Sequence, residues 1–302
     1  MAVVYPSSHI PRNSAIVVAF SLCVVITSIA TGTSLAQQPL RQLIDHELSP
    51  PTGVADEICS DAEFLRRVSL DLTGMPPLAD EARRFIADTD PNKRTDLVDR
   101  LLASPQSARH LASMLDLMLM ERRPNSNVSQ DEWNAWLVSA VRANKPWNLL
   151  AREILSANGD DPQNRAPSRF YLDRGCEPNV LARDVGRIFF GKDLQCSQCH
   201  DSPLVSDFLQ SDYQGLLAMT AAGYELKKKH GDKDVNVYAE RAGTDIAFES
   251  VFNKGTPHRT GVRIPGSETI AEPFFVPGEE YEIAPADGVR SVPRFSRREH
   301  VA

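Results

Sequence analysis

SDAEFLRRVSLDLTGMPP, Ser60 to Pro77, is the stretch from which the fold can be read. Ser60 followed three residues later by Glu63 is a capping box, in which each residue satisfies a backbone donor near the other at a helix start. Phe64, Leu65, Val68, Leu70 and Leu72 then supply the apolar positions of a helix, and Gly74 with Pro76-Pro77 ends it.

The same grammar runs outward along the chain. Ala79 to Ala87 reads as a second helix and Pro91 to Ala103 as a third, with Leu97, Val98, Leu101 and Leu102 on one face. Ser104-Pro105 opens a fourth that ends near Met120. Its stripe of Leu111, Met114, Leu115, Met118 and Leu119 has core spacing, and His110 in the same helix reads as a structural residue. A second capping box, Ser129 to Glu132, launches Trp133 to Ala143. Lys145-Pro146 turns into a helix through Leu155 that Asn158-Gly159 stops. Asp160 to Ser168 has loop composition, and Asn179 to Phe190 is helical again until Gly191. The fold class expected is mainly α, a multi-helix domain.

After Tyr224 the character changes. Val235 to Tyr238, Ile246 to Phe248 and Val262 to Ile264 are rich in β-formers and are separated by Gly and Pro. The expected division is a helical domain over 37–225 and a small β-rich, irregular portion over 226–302. Lys227-Lys228-Lys229 reads as a solvated helix end. The net charge of −7 gives no broad basic surface, which argues against a nucleic-acid partner.

Arg12, the apolar run from Ala15 to Ala30 and Ser34-Leu35-Ala36 together make a charged region, an apolar region and a small-residue cleavage site. Residues 1–36 are therefore expected to be a signal peptide cleaved near Ala36, and the protein to be exported, periplasmic or at the cell surface. An uncleaved N-terminal membrane anchor is the alternative. Cys23 follows Leu22 rather than a small residue, so a lipoprotein anchor is not expected.

Cys196-Ser197-Gln198-Cys199-His200 reads C-x-x-C-H, the attachment signature of c-type haem. With 5 Cys and 7 His in 302 residues, chance supplies about 0.002 such motifs per chain. Its rivals are other uses of the same atoms. Cys196 and Cys199 can form a disulfide. A zinc site can draw on them with Asp201, Asp207 or His230, although zinc motifs usually separate two ligand pairs by a dozen or more residues. In the haem reading Cys196 and Cys199 form thioethers on the first turn of a helix, and His200 is the proximal iron ligand. A backbone carbonyl after the histidine is the expected acceptor for its other ring nitrogen. Met219 is a candidate distal ligand, with His230 as an alternative. Phe189, Phe190, Leu194, Phe208, Tyr213 and Leu217 are candidate walls, each also an ordinary core residue. Cys59 and Cys176 remain, as a pair or as two buried thiols. The sequence has no G-x-S-x-G elbow, P-loop or H-E-x-x-H, so it assigns no enzyme class.

Several stretches resemble one family, the cytochrome-associated domain of unknown function of secreted planctomycete proteins. They are FLRRVSLDLTGMPP (Phe64 to Pro77), LVDRLLASP (Leu97 to Pro105), ANKPWNLLAREIL (Ala143 to Leu155), LQCSQCHDSP (Leu194 to Pro203) and SDYQGLLAM (Ser211 to Met219), with a weaker likeness onward through SVFNKG. The resemblance supports the helical fold and export. It implies C-x-x-C-H-D-H-P at the motif, where this chain has Ser202 in place of the second His, and a Trp after His110, where it has Leu111. Pro293 to Glu299 resembles the opening of a domain that follows in the family, so a truncated product or flexible tail is expected there. The function expected is an exported c-type cytochrome-like protein for electron transfer. It would work with a periplasmic redox partner or cytochrome, or with a separate copy of the downstream domain. The alternative is a non-catalytic scaffold or binding module built on a Cys196–Cys199 disulfide or a zinc site.

Overall fold

The computed structural model describes residues 40–48, 58–243 and 245–302. The signal peptide expected over residues 1–36, with its cleavage near Ala36, lies outside them. Among the described residues no helix is long and apolar enough to cross a membrane. Helix α1, Leu40–Leu48, belongs to an N-terminal unit of its own.

Residues 59–302 form a second unit that opens with four helices. These are α2 (Asp61–Thr73), α3 (Ala79–Ala87), α4 (Lys93–Leu102) and α5 (Pro105–Met120). The capping box predicted at Ser60 is half realised. Ser60 Oγ accepts the Glu63 amide at 3.3 Å, while the Glu63 side chain pairs instead with Arg67. Gly74 closes α2 at φ +70°, and a Cβ there would lie 2.6 Å from His110 Nδ1. Both the left-handed turn and the close approach of His110 therefore require glycine. Leu65, Phe85 and Leu97 form a satellite core between α2, α3 and α4.

The main core is built by the C-terminal end of α5 with α6 (Gln130–Arg142), α7 (Trp147–Ser156) and the one-turn helices α8 (Pro162–Arg165) and α9 (Arg169–Leu172). It is completed by α10 (Pro178–Phe189), α11 (Gln210–Thr220) and the strands that follow. Leu119, Met120, Trp133, Leu137, Ile154, Phe170, Tyr171, Leu181, Leu216 and Met219 are buried in it. The stripe on α5 is buried only in part: Leu119 lies in the core and Leu115 packs against it, but Leu111, Met114 and Met118 are exposed, while Ala108, Ala112 and Met120 point inward. At about 100° per residue the buried face is turned roughly a quarter-turn from the stripe, so the period gives a helix but not its orientation.

Three two-stranded antiparallel sheets follow α11. They pair β1 (Gly223–His230) with β2 (Lys233–Glu240), β3 (Ile246–Phe248) with β4 (His258–Thr260), and β5 (Tyr281–Ile283) with β6 (Val292–Pro293). Lys227 to Lys229 is thus strand, not helix end. Gly231 at φ +62° makes the two-residue hairpin turn, and pairing runs from Gly223↔Glu240 to His230↔Lys233. Once in a strand, successive side chains part to opposite faces. Lys228 reaches Asp160 at 2.5 Å and Lys227 reaches Asp234 at 2.9 Å.

The chain ends in α12, Arg297–Val301, and this segment is neither a loose tail nor a separate body. Arg298 is buried between the rings of Tyr171 and Tyr238, with its guanidinium 5.1 and 4.6 Å from their centroids. It pairs with buried Glu240 at 3.3 Å and donates to the carbonyls of Leu155 and Ala157. Arg297 pairs with Glu272 at 2.8 Å and donates to Ala218 O. A second buried pair, Arg174 and Asp184 at 2.8 Å, ties α10 to α5. Arg174 also donates to Phe170 O and to Leu119 O at the end of α5. Burial would raise the Asp184 carboxyl. The hydrogen bond and charge of Arg174, with Arg123 and Arg183 nearby, hold it below its ordinary 3.8 instead.

Candidate functional site

Gly191, at φ +65°, ends α10 and turns the chain toward the motif. Cys196–Gln198 forms a single 3₁₀ turn, closed by the Cys199 amide on Cys196 O at 3.3 Å. The haem reading puts the motif on the first turn of a helix, but the turn does not continue into one. Pro203 would have to donate to Cys199 O in a continuing helix and has no N–H to do so. That carbonyl accepts instead from the Val251 amide at 3.0 Å.

The turn is fixed through its backbone. Gln198 O, between the two cysteines, accepts from Gln214 Nε2 at 3.2 Å and Gln210 Nε2 at 3.4 Å. Gln210 also donates to Glu249 O at 3.2 Å, and both glutamines are buried. They stand four residues apart on α11 and so on one face of it. Ser197 is buried and its hydroxyl donates to Phe208 O at 3.1 Å. Asp201 accepts the Gln210 amide at 2.7 Å and thereby caps the start of α11. Ser202 donates its amide to Phe208 O, and its hydroxyl accepts the amides of Leu204 and Val205.

The groups that carry chemistry are left facing out. Cys196 and Cys199 are exposed, and all four described cysteines are free thiols. Among the described residues neither a Cys196–Cys199 nor a Cys59–Cys176 disulfide is present. Cys176 is buried, and burial pushes its thiol up to about 12, with Glu225 adding to the effect. His200 Nδ1 lies 2.6 Å from Asp201 O. A carbonyl only accepts, so Nδ1 carries the proton, and in the neutral ring Nε2 keeps its lone pair. The acceptor expected after the histidine is therefore present. On its other side the imidazole rests against Phe252, with centroids 4.6 Å apart.

The remaining predicted site residues fall elsewhere. Met219 is fully buried in the main core toward the far end of α11, about 13 Å of helix axis from Gln210. His230 ends β1 at the hairpin. Asp201 serves as a cap and Asp207 pairs with Lys192 at 3.1 Å. Among the described residues no group of three His, Cys, Asp or Glu stands ready to hold a metal, so the zinc reading finds no ligand set there. Leu194 and Tyr213 are core, Phe189 packs on Trp147 and Phe170, and Leu217 lies against the core. The residues that do surround the motif were missed. Gln210 and Gln214 left a trace as amide side chains four apart on one helix. Phe252 left only its place in SVFNKG.

The family model PSCyt2, a protein of unknown function (DUF1549), matches residues 39–223. The chain belongs to this family. The match contains every helix from α2 to α11 and the motif, and it stops where β1 begins. Phe252 and α12 lie beyond it. No curated protein and no solved structure matches the chain.

The residues present fit a haem held by thioethers. Two free thiols face outward, and the adjacent imidazole has one nitrogen fixed by a carbonyl and the other available to iron.

Proposed function

We propose that this PSCyt2 protein is an exported c-type cytochrome-like electron carrier. Cys196 and Cys199 hold haem covalently and His200 supplies the proximal nitrogen through Nε2. The observation that carries the reading is the Nδ1 bond of His200 to Asp201 O beside two free, exposed thiols. Bound haem supplies a reversible one-electron iron couple.

Cys196 and Cys199 would hold the haem through thioethers to its two vinyl groups; each thiol would give up its S–H, the sulfur and the proton going to the two carbons of one C=C bond, so no oxidant would be needed. The protein's part is to present both sulfurs on one fixed turn and to keep His200 in the tautomer that coordinates.

Co-expression with a haem-attachment system tests this. The expected result is a haem-sized mass increment that survives denaturation, a cytochrome absorbance spectrum, and loss of both in Cys196→Ser/Cys199→Ser. A folded, colourless protein without the increment overturns the reading. A loss of two hydrogens in its place would establish the disulfide scaffold.

A further inference from the structure

Resting on that reading, we infer that four exposed apolar residues flanking the motif, Leu204, Val205, Val251 and Phe252, form the seat of the attached porphyrin. Leu204 is 92% exposed and Phe252 78%; Val251 and Val205 are 48% and 40% exposed. Single apolar side chains at a surface need no explanation. These four come from two loops far apart in sequence, and both loops are fastened to the motif. The Val251 amide bonds Cys199 O, and the Phe252 ring lies on the His200 imidazole. The amides of Leu204 and Val205 are held by Ser202, two residues past the histidine.

The occupant follows from what stands between the loops. Two thiols and an imidazole are the attachment points of a flat, largely apolar macrocycle, and a macrocycle bonded there covers its immediate surroundings. Leu194 and Tyr213, beside the motif in sequence, are fully buried in the core and do not line it. The seat is instead an open shelf, half of it supplied by residues 251–252, outside the family match over 39–223. A haem on an open shelf keeps an edge toward solvent and toward a redox partner, and its potential responds to the polarity of the shelf.

The full chain, expressed with a haem-attachment system, is compared with Leu204→Ser/Phe252→Ser. Leu102→Ser, an exposed apolar position on α4, serves as the control. The readouts are intact mass, the midpoint potential of the haem protein, and binding of a hydrophobic fluorescent dye to the haem-free protein. The expected result is haem mass in all three proteins and a more negative potential in the double variant alone. Dye binding in the double variant alone should fall at least about twofold. Leu204→Ser by itself carries the test if the double variant does not fold. Haem attached, with potential and dye binding unchanged, overturns the seat and leaves the cytochrome reading standing. A wild-type protein that folds but takes no haem overturns both.

Discussion

The body around Arg174 and Arg298 and the turn around Cys196 are both held by side chains reaching backbone carbonyls, but with opposite distributions of charge. In the body the fasteners are buried arginines paired with Asp184 and Glu240. At the motif they are neutral amides, Gln210 and Gln214, on Gln198 O. A buried charge pair is unforgiving, because removing one partner strands the other. A neutral amide fixes a loop without setting a strong field beside it. The comparison teaches that the molecule spends its charges on assembling the body. The motif is fixed largely by its backbone, and its two sulfurs are left free.

The largest effect expected is at Arg298. Arg298→Ala leaves Glu240 buried without its partner and removes the cation between Tyr171 and Tyr238. It should cost about 3–5 kcal/mol, read as a lower urea midpoint at constant slope. If α12 were an appendage instead, the midpoint would hold. The folded fraction of this variant should label at Cys196 and Cys199 as the wild type does, since the motif depends on α11.

Acid separates the two regions next. Asp184 is held below its ordinary value of 3.8 in the folded protein. Below that value the unfolded chain takes up a proton that the folded one refuses. The stability Asp184 contributes is therefore present above about pH 4 and is lost as pH falls through the folded pKa. Unfolding free energy measured from pH 5 downward should fall. Asp184→Asn should be less stable at pH 5 and have a shallower slope. An unchanged slope would mean that the Arg174 pair is not what holds the carboxylate.

Why the sequence disclosed one region better than the other follows from range. Ser60, Ser104 and Ser129 each cap a helix within three residues, so a local reading finds them. The C-x-x-C-H motif and the carbonyl that fixes His200 are equally local. The partners of Arg298 lie on α9 and β2, and nothing in RRE marks it as buried rather than solvated. Lys227 to Lys229 reads as a polar run because cross-strand pairing, not composition, makes it a strand. The seat residues at 251–252 meet the motif only through the fold. Periodicity located α5 and put Leu115 and Leu119 inward, but it counted Leu111, Met114 and Met118 with them, because an apolar stripe does not say whether a partner covers it.

A smaller effect is expected from loosening the turn itself. Gln214→Leu removes one of two donors to Gln198 O, and the cost should be about 1 kcal/mol. The informative measurement is local: alkylation rates of Cys196 and Cys199 should change relative to wild type, while that of Cys176 should not. Gln214→Asn, shorter by one methylene, should behave like Leu if reach is what matters.

The smallest effect is the sharpest test of the comparison. Cys196→Ser/Cys199→Ser should change the stability of the haem-free protein by no more than about 0.5 kcal/mol, since both side chains are exposed and neither is bonded to a partner. In the wild type, a thiol reagent at pH 8 should label both at once. Cys176 should react only after unfolding, because its thiol is buried and pushed up to about 12. A double variant that loses several kcal/mol would mean that the cysteines help build the turn, and the division between frame and chemistry would fail. Unchanged stability, with rapid labelling of Cys196 and Cys199, would leave Gln210, Gln214, Ser197 and the Val251 amide as the frame. The two thiols would then be free for whatever they bind.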